Sequence, residues 1–215
     1  MPFGFFAPVG VELSQPLPLI ISLHGMSEIG KSQEEFENKF LVDVFRHWEY
    51  TGLEGFPAYI VCPHLSGRGV AKQWDSDVGS WNVFNLIDYL KENYNIDEDW
   101  IILQGHSFGA QGALYLACDD RACFRKLVLV SAYDSGCNYR NVTIPIRGYS
   151  GDPFKEGDKE DINSYVFMER IFPEVFGREN WFIRPVSHDE IPEVAFREDL
   201  DNNGKSDLVE WMLSE

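Results

Sequence analysis

The stretch Trp100-Ile-Ile-Leu-Gln-Gly-His-Ser-Phe-Gly-Ala-Gln-Gly-Ala-Leu114 runs from an apolar segment into a series of small residues. Between the two parts lies Gly105-His106-Ser107-Phe108-Gly109. An apolar run without polar alternation fits a strand buried on both faces. Alanines at 110, 113 and 117, with Leu114, repeat at helical spacing and are small enough for close approach to a sheet. A strand that turns into a helix within five residues leaves no room for Cβ atoms beside the bend, and glycines flank Ser107 on both sides. The pattern predicts Ser107 at a tight strand-to-helix corner, with its hydroxyl clear of the sheet and the first helical N–H groups beside it.

Similar segments recur along the chain. Short apolar runs bounded by Gly, Pro, Ser or Asp predict strands at Phe3–Ala7, Leu19–Leu23, Ala58–Cys62, Trp100–Gln104, Lys126–Ser131, Ile144–Tyr149 and Trp181–Val186. Helical spacing links Phe36, Phe40, Val44 and Trp48, with Ser32 and Glu35 as a capping box. It also links Val83, Ile87, Leu90 and Tyr94, and marks Ile162–Phe172 and Leu208–Leu213. Alternating strands and helices predict an α/β domain over residues 1–215, with a mostly parallel sheet of about seven strands covered by helices on both faces. The Tyr133–Thr143 connection is too short for an inserted lid.

Eighteen Lys and Arg against 35 Asp and Glu give a formal net charge of −17, steepest over residues 152–215. Such a field repels nucleic acid and anionic membrane surfaces. No apolar run approaches the ~18 residues of a membrane span, and the first ten residues lack the marks of a secretory signal. The expectation is a cytoplasmic protein with no membrane insertion. Cys62, Cys118, Cys123 and Cys137 form no C-x-x-C pair, so they are expected to be free thiols rather than zinc ligands.

A serine hydroxyl needs a base, and the base needs an orienting acid. His24 and His106 adjoin turns, His47 sits in a helical pattern, and His64 precedes the serine. His188 follows the last strand, which fits the chain order serine, acid, histidine. Asp152, in the turn after Ile144-Pro-Ile-Arg-Gly-Tyr-Ser-Gly, is the first choice for the acid. Asp134 is the second and Asp158 the third. An oxyanion site needs two converging N–H groups. Phe108, after the serine, offers one. Met26, in His24-Gly25-Met26-Ser27-Glu28-Ile29-Gly30, offers the other, with Gly25 and Gly30 freeing the backbone.

These pieces together resemble the α/β-hydrolase superfamily, and within it the small serine esterases that include feruloyl esterases, peptidase-like proteins and polyhydroxybutyrate-depolymerase-like hydrolases. The resemblance rests on HGMSEIG (against HG-x-G-E-x-G in relatives), Cys62-Pro63 leading toward Trp74, YNIDEDWIILQGHSFGAQGALYLA, the SGDP turn, SHDEIPEVAF and the terminal LVEWMLSE. Ser27 and Ala110 stand where relatives usually carry glycine. The short N-terminus implies a reduced sheet. The resemblance implies ester hydrolysis through Ser107, His188 and Asp152, with no metal or cofactor, on a small-molecule or polymer-linked ester. Amide or peptide hydrolysis, acyl transfer, or plain binding on the same scaffold stay open, as does the oligomeric state. Trp74, Trp81, Tyr133 and Phe108 are candidate pocket walls.

One motif stands apart. Asp199-Leu-Asp201-Asn-Asn203-Gly204-Lys-Ser-Asp207-Leu-Val-Glu210 matches a calcium-loop pattern. Its competing reading is a turn, with Asp207 and Glu210 spaced as a capping box for the last helix.

Overall fold

The computed structural model describes residues 1–32, 34, 56–65, 73–152 and 162–215. Seven strands form one sheet: β1 (Phe3–Phe6), β2 (Leu17–Leu23), β3 (Tyr59–Pro63), β4 (Ile96–His106), β5 (Lys126–Val130), β6 (Ile146–Ser150) and β7 (Trp181–Ile183), in the order β1-β3-β2-β4-β5-β6-β7. Only β1 runs antiparallel to its neighbour; every other pairing is parallel. This is the α/β-hydrolase fold, with the mostly parallel sheet of about seven strands that the sequence predicts. Among the described residues no helix is long and apolar enough to cross a membrane.

The strands read as continuous apolar runs because each face packs against a separate core. Leu19, Ile21 and Leu23 face one cluster while Ile20 faces the other. The same alternation splits Ile101 and Leu103 from Ile102, and Leu127 and Leu129 from Val128 and Val130. The first face is covered by α1 (Asp77–Asn93), α2 (Phe108–Ala117), α3 (Ile162–Arg170) and α4 (Phe172–Phe176). The second is covered by α5 (Ile191–Arg197) and α6 (Asp207–Leu213). Burying a side chain of this size contributes about 1.5–3 kcal/mol, so both faces hold the sheet.

Several expectations shift. The helix expected near Ile162–Phe172 ends at Arg170, and a further short one, opened by Pro173, follows it. Helix α5, also opened by a proline, adds to the helices expected from the sequence. The helix expected around Phe36–Trp48, with its capping residue Glu35, and Asp158 lie outside the described residues. The thiols are corrected too: Cys118 bonds Cys137, with Cα atoms 6.3 Å apart, and Cys62 and Cys123 are the free cysteines. Cys118 caps the C-terminus of α2, and the chain after β5 folds back across that helix, which brings together two residues 19 apart.

Lys126, buried at the start of β5, fixes the last helix. Its Nζ donates to the carbonyls of Trp211 and Ser214 at 2.5 Å each. A cation at the C-terminus of α6 satisfies carbonyls that the helix leaves unpaired.

Candidate active site

Parallel strands that share a sheet end at the same edge. The register pairs Leu23 with Gly105, His106 with Val130, Val130 with Tyr149, and Ser150 with Ile183. Met26, Ser107, Asp134, Asp152 and His188 each follow one of these strand ends, so one edge of the sheet carries all five.

Ser107 sits at φ 56°, ψ −121°, one of three non-glycine residues with positive φ among those described. Such a conformation costs about 1–3 kcal/mol and persists only where its surroundings impose it. Here the surroundings are tight. The Ser107 N–H donates to Val130 O at 2.9 Å, tying the corner to β5. A Cβ at Gly105 would collide with the backbone of Gly109, and one at Gly109 with the carbonyl of Leu23. These two glycines let α2 start directly beside the end of β2. Ser131, the residue after β5, is also left-handed at φ 50° and fully buried, and its N–H donates to Tyr149 O at 2.7 Å.

The loop after β2 begins with His24, whose side chain is a post rather than a reacting group. Leu65 N–H donates to its Nε2 at 3.1 Å, so Nδ1 carries the proton and donates to Gly25 O at 2.7 Å. Trp74 Nε1 donates to the His24 carbonyl at 3.1 Å and is fully buried, which corrects its reading as a pocket wall. Gly25 has φ −73°, ψ −173°, open to any residue, so the freedom expected of it is unneeded; Gly30, at φ 72°, does need it. Met26, Ser27 and Glu28 form one 3-10 turn. Among the described residues neither Met26 N–H nor Phe108 N–H is spent on a backbone carbonyl, as expected for the first N–H groups of a helical turn.

Burial pushes the His24 imidazole down to about 4, from an ordinary value of about 6.5. Burial also pushes His64 down. Between the two His24 values the unfolded chain binds a proton that the native chain refuses. The stabilisation is complete above pH about 6.5 and is lost as the pH falls toward 4, by about 3 kcal/mol for His24. We expect His24→Asn to lose stability at pH 7 and to show a shallower loss between pH 6.5 and 4.5 in urea unfolding. Parallel pH curves for the two proteins would refute this.

Histidine 188 lies beside His106, the residue before Ser107. The His106 Nε2 donates to His188 O at 3.1 Å, and the two rings lie 4.8 Å apart. The Tyr133 ring lies 6.4 Å from that of His188. Asp152 N–H donates to Val186 O at 3.0 Å, joining the turn after β6 to the loop that carries His188. Asp134 differs. It is exposed, its Oδ1 accepts Gly136 N–H at 2.9 Å, and its carbonyl accepts Gln111 Nε2 at 3.2 Å. Gln111 also donates to Asp75 Oδ2 at 3.2 Å and so clips two loops to α2. No sequence signal marks His106 or Gln111 for these bonds, since both depend on distant loops.

The Asp199–Glu210 segment folds onto itself. Asp199 accepts from Asn203 N–H at 3.0 Å and Gly204 N–H at 2.9 Å, and Asn203 Nδ2 donates to Asp201 at 3.1 Å and Glu210 at 3.0 Å. The cap of α6 is Ser206, accepting from Val209 N–H at 3.3 Å, rather than Asp207. Among the described residues no group of three or more His, Cys, Asp or Glu is placed to hold a metal.

No protein-family model and no curated protein matches the chain. Solved structures do. A thermostable esterase superposes with TM-score 0.68 at 19% identity, over 98% of this chain and 58% of that one. The chain thus spans little more than half the length of that esterase. The fluorophosphonate-binding serine hydrolase FphF of Staphylococcus aureus matches with TM-score 0.59 at 14% identity, over 94% of this chain and 85% of its own. The feruloyl esterase module of Clostridium thermocellum, complexed with sinapinate, matches with TM-score 0.59 at 12% identity, over 91% and 80% of the two chains.

Proposed function

We propose that this chain is a serine hydrolase that cleaves carboxylic esters, with Ser107 as nucleophile, His188 as base and Asp152 as orienting acid. The observation that carries the reading is the strained backbone of Ser107 at the β4–α2 corner, pressed against the end of β2 by Gly109. A strained position that carries a hydroxyl beside the first N–H groups of a helix is best explained by what that hydroxyl does.

In the proposed reaction His188 takes the Ser107 proton as the oxygen attacks the ester carbonyl. Asp152 keeps the imidazole in the tautomer that can accept and favours its charged form. The N–H groups of Met26 and Phe108 stabilise the oxyanion. The imidazolium then protonates the leaving alcohol, and water, deprotonated by His188, releases the acid. The chemistry needs no metal or cofactor. The esterases and feruloyl esterase among the solved neighbours support small acyl or aryl esters, free or attached to a polymer. The Cys118–Cys137 disulfide favours an oxidising surrounding over the cytoplasmic one expected from sequence.

The test is a panel of p-nitrophenyl esters with the matching anilides, together with a fluorophosphonate probe. Ester turnover well above anilide turnover, and probe attachment at Ser107, are the expected results. Faster anilide turnover would move the assignment to amide hydrolysis, and no turnover with no labelling would leave a binding protein.

A further inference from the structure

Glutamate 28 belongs to none of the proposed catalytic steps, yet it lies beside them. The residue is only 9% exposed although it is charged, and a buried carboxylate is costly unless its charge is met nearby. Its partners come from its own loop: Ser27 Oγ–H donates to Oε1 at 2.5 Å, and Lys31 Nζ stands 3.9 Å from the same oxygen. The other oxygen lies beside Gly25, as Ser107 does. The point where Gly25 would carry a Cβ lies 3.5 Å from Glu28 Oε2, 3.7 Å from Ser107 Cβ and 3.8 Å from His106 O. The carboxylate therefore borders the small space that the absent Gly25 side chain leaves open. The turn is also tied from the far side, where His64 Nε2 donates to Glu28 O at 3.3 Å and Gly30 N–H to Leu65 O at 2.9 Å.

We propose that Glu28 is a positioning residue: with Ser27 and Lys31 it locks the 3-10 turn so that the Met26 N–H faces the oxyanion, and Lys31 cancels its charge there. This rests on the serine-hydrolase reading above. Two consequences separate it from a merely structural role. Loosening the turn weakens an interaction made only in the transition state, so kcat falls and KM does not rise. Removing Lys31 alone leaves a bare carboxylate beside a developing negative charge, which slows the reaction, whereas removing both charges does not.

The experiment is steady-state kinetics on a p-nitrophenyl ester with E28A, E28Q, K31M and E28Q/K31M. We expect E28A to lower kcat about 10- to 100-fold at near-constant KM. E28Q, which keeps the shape and one acceptor for Ser27, should recover most of that loss. K31M should lower kcat about tenfold, and the double variant should regain it. An unchanged kcat in E28A, a loss confined to KM, or a double variant no better than K31M would each overturn the proposal. If E28A fails to fold, the Lys31 cycle decides alone. Fluorophosphonate labelling of the unaltered protein keeps the two readings apart. No labelling defeats the Ser107 assignment, while labelling of the unaltered protein and E28A at equal rates defeats only the role given to Glu28.

Discussion

Replacing Ser107 with alanine is expected to lower ester turnover by about a millionfold and to abolish fluorophosphonate labelling, with the fold retained. The size follows from the proposed mechanism. Without the hydroxyl no acyl-enzyme forms, and only water attack assisted by the remaining N–H groups and by substrate binding is left, a residual of about 10³–10⁴ over the uncatalysed reaction. The hydroxyl adds little to substrate binding, so the loss belongs in kcat. The backbone adds a second readout. Alanine at φ 56° keeps the strain of the native residue, whereas glycine adopts that region freely. Ser107→Gly should thus unfold later than Ser107→Ala by about 1 kcal/mol while being equally inactive. Turnover that survives in both variants would belong to another residue, and equal stability of the two would mean that the corner is not strained.

What can be read from the chain, and what cannot, divides along the range of the interactions involved. The strands are legible because a parallel sheet buried on both faces demands uninterrupted apolar runs, and Leu127-Val-Leu-Val130 can hardly be anything else. The corner at Ser107 is legible because the glycines that permit it are its immediate neighbours. The disulfide is not, because Cys118 and Cys137 meet only once the loop after β5 has folded back over α2. Trp74 reads as an aromatic near the site, but it is buried with its Nε1 on His24 O, a contact across 50 residues. Glu28 is silent in the sequence. Nothing in the sequence singles out this residue, and only the nearness of Gly25 to Ser107 shows what it borders.

The choice of acid carries the second large effect. Asp152→Asn should reduce kcat about 10⁴-fold, and Asp134→Asn should leave it within about threefold of the native value, inside the range of surface substitutions. At position 152 an amide would offer N–H where the imidazole needs an acceptor, and the ring would settle into a tautomer unable to take the serine proton. The placement of Asp152 favours it for this role. Its N–H donates to Val186 O, two residues before His188, while Arg184 N–H donates to Ser150 O, both at 3.0 Å. The β6 and β7 exits are therefore stitched together, and Arg184 is pinned in turn by two bonds to Glu198 at 2.6 Å each. Asp134 serves its own loop instead. Its carboxylate closes the turn on Gly136 N–H, which asparagine at that position would still do. Its β5 exit lies between those of β4 and β6, near enough for the opposite result to be informative. If the Asp134 variant is the crippled one, the imidazole at 188 is oriented from the middle of the sheet rather than from its β6 end. A crippled Asp158→Asn beside two active variants would pass the role to the segment that follows the SGDP turn.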